Sequence, residues 1–102
     1  MMDRREMLLI QLMEEAGEVV QASSKVLRFG TNHTWPVDGE KLAKTAESRL
    51  TQELIDLLAL VELCQFEGFL SPWPLDIRER IDAKKLKVAK YMELSIELGK
   101  VS

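Results

Sequence analysis

The stretch that decides the fold is Leu8-Leu9-Ile10-Gln11-Leu12-Met13-Glu14-Glu15-Ala16-Gly17-Glu18-Val19-Val20-Gln21-Ala22. Leu8, Leu12, Val19 and Val26 are separated by sums of threes and fours, the spacing of one face of an α-helix. The same period returns in Leu50, Leu57, Leu60 and Cys64, and again in Ile77, Ile81, Val88 and Met92. No segment alternates with period two, so no strand is expected. The spacing predicts helices over about Asp3–Arg28, from a start within Gly39–Glu47 to about Phe66, and over about Pro74–Leu98.

Punctuation agrees with this division. Phe29-Gly30-Thr31-Asn32 reads as a helix end and turn, Gly68 as the end of the second helix and Gly99 as the end of the third. Asp38 is placed to cap the second helix, and Ser71-Pro72-Trp73-Pro74 reads as a rigid turn with proline at a helix start. The expected fold is all-α, a small bundle of three main helices in one domain spanning residues 1–102. Leu9, Met13, Ala16, Val20 and Leu27 form a second apolar band on the first helix. So short a chain builds little core to cover it, so the bundle is expected to be completed by homo-oligomerisation.

Composition bounds the function. The chain has 102 residues, 46% hydrophobic and 30% charged, with 14 basic and 17 acidic side chains and a net charge of −3. An acidic chain with a pI near 5.2 disfavours binding to a nucleic acid polymer. The longest apolar run, Leu57–Val61, is far below the roughly 18–20 residues a membrane span needs. The amino-terminal stretch is charged and carries no signal-type apolar region, so a cytoplasmic location is expected. The single Cys64 excludes an internal disulfide and reads as core.

The chemistry lies in the acids. At about 100° per residue, Glu15 projects into the stripe of Leu8, Leu12, Val19, Ala22 and Val26, and Glu53 into that of Leu50, Leu57, Leu60 and Cys64. Glu18 and Asp56 sit beside these stripes, each one turn along. A solvated face explains an acid pair such as Asp3/Glu6, but an acid on an apolar stripe needs a counter-charge. Two like charges about 4 Å apart repel by about 4 kcal/mol at an effective dielectric of 20. A divalent cation relieves that repulsion, and all-oxygen ligands favour Mg²⁺, with Mn²⁺ as substitute, over zinc. Magnesium commonly sits between carboxylates and phosphates. Candidate phosphate partners are Lys25, seven residues beyond Glu18, and the face of Arg80, Lys84, Lys87 and Tyr91 in the third helix. Taken alone, that basic face reads as an exposed, salt-bridged surface. His33, Trp35 and Trp73 read as ordinary loop or packing residues, although either tryptophan is placed to close over a ring.

Glu14-Glu15-x-x-Glu18 followed by Glu53-x-x-Asp56 resembles the E-E-x-x-E…E-x-x-D signature of the MazG-like, all-α nucleoside triphosphate pyrophosphohydrolases. The strings Leu12–Ala22 and Gln52–Leu58 are similar to the two core helices of that family, and the lysine-rich third helix ending in Lys90-Tyr91 is similar as well. The resemblance covers about residues 6 to 92. It implies Mg²⁺ ligation by Glu15, Glu18, Glu53 and Asp56, with Glu14 as a further acid that positions or deprotonates water. It suggests substrate contacts from Lys25, Lys84, Lys87 and Tyr91. The implied activity is hydrolysis of a (d)NTP to the (d)NMP and pyrophosphate, by attack of a metal-activated water on the α-phosphorus. The implied assembly is a homodimer or homotetramer. One departure is the 34-residue separation of Glu18 from Glu53, longer than in most members; the added length, about Thr31–Glu47, bears on the base pocket. The alternatives are a nucleotide-binding module that does not cleave, and a helical interaction protein whose acids pair with Arg or Lys across an interface.

Overall fold

A computed structural model describes residues 1–35 and 44–101. Three helices account for most of them: α1 (Arg4–Phe29), α2 (Ala46–Phe66) and α3 (Ile77–Glu97). There is no strand among the described residues, only an isolated antiparallel bridge between Thr34 and Thr45. The all-α expectation therefore holds, and the helix limits move by a few residues.

The local reasons are legible at each end. Asp3 caps α1 by accepting from the Glu6 backbone N–H at 2.9 Å, which satisfies one of the donors left over at a helix start. Gly30 ends α1 at φ 90°, a conformation a side chain would strain. Thr45 caps α2 through its hydroxyl, which accepts from the Ser48 N–H at 3.1 Å. Asp38, expected in that role, lies outside the described residues, as does the stretch 39–43. Pro74 does not open α3 at its first turn. Its carbonyl instead accepts from the Ile77 N–H at 3.0 Å, so the proline opens the turn that leads into α3 and the helix begins at Ile77. Asp76 makes no capping bond; its carboxylate pairs with Arg80 at 3.0 Å.

The chain divides into two compact units, residues 1–70 and 71–102. In the first, α1 and α2 run antiparallel. Arg4 at the start of α1 meets Glu67 just past the end of α2 at 2.8 Å. At the other end the Ala46 and Glu47 N–H groups donate to the His33 and Thr31 carbonyls, at 2.8 and 3.0 Å. The facing stripes are those expected: Leu8, Leu12, Glu15, Val19, Ala22 and Val26 on α1 are all partly buried, and so are Leu50, Glu53, Leu57 and Leu60 on α2, with Cys64 fully buried.

In the second unit, α3 carries the Asp76–Arg80 pair and an Arg78–Asp82 pair at 3.0 Å on its polar surface. Such exposed pairs contribute a few tenths of a kcal/mol each, roughly. Ile77 is partly buried, whereas Ile81, Val88 and Met92 are exposed.

Candidate metal centre and adjoining cavity

Glu15 and Glu18 lie one turn apart on α1, and Glu53 projects from α2 toward them. One carboxylate oxygen from each of Glu15, Glu18 and Glu53 lies within 4.8 Å of the other two. The antiparallel packing produces this meeting, because Glu15 and Glu53 sit on the stripes through which the helices pack and Glu18 stands beside them. Desolvation and mutual repulsion follow. Glu53 is pushed up from 4.5 to about 7, first by a carboxyl–carboxyl hydrogen bond with Glu18 that requires a proton, then by burial, then by the charges of Glu18, Asp56 and Glu15. Glu15 is raised chiefly by burial, then by the charges of Glu18 and Asp56.

One oxygen of Glu15 and one of Glu53, Oε2 in each case, is buried and has no hydrogen-bond partner. Orphaned buried carboxylate oxygens are costly. Three converging carboxylates relieve their charge by sharing protons or by ligating a hard cation, for which oxygen donors are the preferred ligands. Asp56 stands beside the trio, not within it. Its charge reaches Glu15 and Glu53, while its Oδ1 accepts from the Gln52 side-chain amide at 2.9 Å. Glu14 is exposed next to Glu15 and adds to the rise at Glu15.

Next to the acids is an open cavity of about 350 Å³ whose lining includes Glu18, Glu53, Lys25, Lys44, Arg49 and Trp35. That volume falls in the range of small-ligand sites. Lys25, expected from its spacing to Glu18, is thus brought to the acids. Its ammonium lies 5.2 Å from the centroid of the Trp35 ring. The Arg49 guanidinium lies 4.7 Å from the same centroid. The other expected substrate contacts, Lys84, Lys87 and Tyr91, belong to the second unit, where each is exposed on α3.

Sequence reasoning missed Arg49, Lys44, Gln21 and Gln52 as cavity residues and gave Trp35 a packing role. Two of these carried a signal: Gln21 is three residues beyond Glu18 and Arg49 four residues before Glu53, so both share a face with a candidate ligand. Lys44 and Trp35 come from outside the helices and carried none. No protein-family model, curated protein or solved structure matches this chain. No helix among the described residues is long and apolar enough to cross a membrane.

Proposed function

We propose that the chain is a Mg²⁺-dependent nucleoside triphosphate pyrophosphohydrolase of the MazG-like type, acting in the cytoplasm as a homo-oligomer. The observation that carries the reading is the convergence of Glu15, Glu18 and Glu53 from two helices, with unpartnered buried oxygens on Glu15 and Glu53, beside a cavity whose described lining bears three cations. The order of acids along the chain, and the resemblance it supports, name the reaction.

In this reading Glu15, Glu18 and Glu53 would hold the metal, with Asp56 beside them as the fourth ligand that the resemblance implies and Mn²⁺ as a substitute. A bound divalent ion supplies charge neutralisation for the phosphates and a lowered pKa for water. Water attacks the α-phosphorus, the bond to the bridging oxygen of the β-phosphate breaks, and the products are a nucleoside monophosphate and pyrophosphate. Glu14, exposed at the edge of the cluster, takes or steers the water proton. Lys25 offsets the charge gathering on the leaving pyrophosphate. Lys84, Lys87 and Tyr91 are assigned to substrate by the resemblance.

The test is a panel of NTPs and dNTPs incubated with the purified chain and Mg²⁺. Monophosphate and pyrophosphate are expected in equal amounts from at least one of them, and their absence throughout overturns the reading. The exposed apolar residues described above favour a second reading, a helical interaction module without turnover. It predicts no metal-dependent change in melting temperature.

A further inference from the structure

We propose that Trp35 is a positioning residue: its ring holds Lys25 and Arg49 at the cavity beside Glu18 and Glu53, so that the cavity receives the phosphate chain of the substrate. The proposal rests on the metal–phosphate reading above and adds to it which part of the ligand the cavity takes.

Three observations carry it. First, Lys25 and Arg49 come from different helices, yet both cationic heads lie within about 5 Å of one ring centroid, at 5.2 and 4.7 Å, inside the range where a tryptophan face attracts a cation. Long side chains otherwise sample many rotamers, so a shared aromatic anchor removes entropy before a ligand arrives. Second, the ring is itself fixed. Trp35 lies 5.5 Å from His33, whose ring stacks on Phe29 at 5.0 Å. The backbone just before it is tied down by the Thr34–Thr45 bridge and by the Ala46 N–H on the His33 carbonyl. Third, among the described residues the cavity lining holds three cations, Lys25, Lys44 and Arg49, against two carboxylates, Glu18 and Glu53. Its charge balance therefore suits an anion that also reaches the acids through a cation. A nucleobase stacked on Trp35 would compete with Lys25 and Arg49 for the same ring.

The test uses the full chain and inorganic tripolyphosphate, which has the phosphates but no base or sugar. Calorimetry in the presence of Mg²⁺ measures its affinity for the wild type and for Trp35→Leu and Trp35→Phe. Circular dichroism confirms that each variant remains helical. Trp35→Leu is expected to weaken tripolyphosphate binding about tenfold, and Trp35→Phe, which keeps a ring of weaker cation affinity, to weaken it less. The loss should largely vanish when Trp35→Leu is made in a chain already carrying Lys25→Met and Arg49→Met, since the ring then has nothing to hold. An unchanged affinity, a loss of equal size in the doubly substituted background, or a loss confined to nucleotides would each overturn the proposal. So would a wild type that does not bind tripolyphosphate. A chain that binds it in a Trp35-dependent manner but hydrolyses no nucleotide would remove the enzyme reading and leave the clamp standing.

Discussion

At the scale of single residues the acids dominate. Glu53 holds its proton up to about pH 7 in the folded chain against an ordinary 4.5. The folded state therefore binds that proton more tightly than the unfolded state does. The resulting stabilisation is complete below about pH 4.5 and is lost as the pH rises through about 7. Without metal, the melting temperature should fall across that interval. With Mg²⁺ the fall should be reversed, and the metal-induced gain should grow over the same window. At metal a hundredfold above its dissociation constant the gain is about 2.7 kcal/mol. Thermal melts between pH 4.5 and 8, with and without Mg²⁺, check this, and Glu53→Gln should flatten both curves. Glu15→Gln and Asp56→Asn should each abolish turnover while leaving far-UV circular dichroism nearly unchanged. Near-normal activity in both would overturn the ligand assignment.

At the scale of elements, α1 and α2 are held in register by their ends. Thr45→Ala removes the cap of α2 and should cost about 1 kcal/mol. Its effect should also reach the cavity, because the Thr45 backbone bridges Thr34, next to Trp35. Urea unfolding measures the first, and tripolyphosphate affinity the second. Gly30→Ala places a side chain at φ 90° and should destabilise by about 1 kcal/mol or more, although nothing lies near its added methyl group. The helices themselves were readable because their period is local. Leu8, Leu12, Glu15, Val19, Ala22 and Val26 are linked by five consecutive steps of three or four, and each is partly buried as that spacing demands. The start of α2 was less so: cap chemistry is shared by Asp38 and Thr45, and local spacing does not choose between them.

At the scale of the whole molecule, the apolar surface is unusual. Among the described residues only Ala46 and Cys64 are fully buried apolar side chains. Met13, Val20 and Leu27 on α1 are 71%, 69% and 87% exposed, and Leu54, Ile55 and Leu58 on α2 are exposed as well. Apolar area of that extent usually marks a contact surface. The proposed self-association predicts a mass of at least twice 11.7 kDa by light scattering. Val20→Glu combined with Leu54→Glu should lower that mass to the monomer and reduce the melting temperature. A wild type that runs as a monomer at micromolar concentration would end the oligomer proposal.

The sequence alone determined the helices, the stripes on which α1 and α2 pack and the presence of acids on those stripes, because each follows from spacing within one segment. Which acids share a cavity, and that Lys25 and Arg49 meet over Trp35, were decided only by tertiary structure. The Asp56–Gln52 bond is one turn of α2, but the other contacts join residues far apart in the chain and depend on how two antiparallel helices slide and rotate against each other, which no periodicity within either helix encodes.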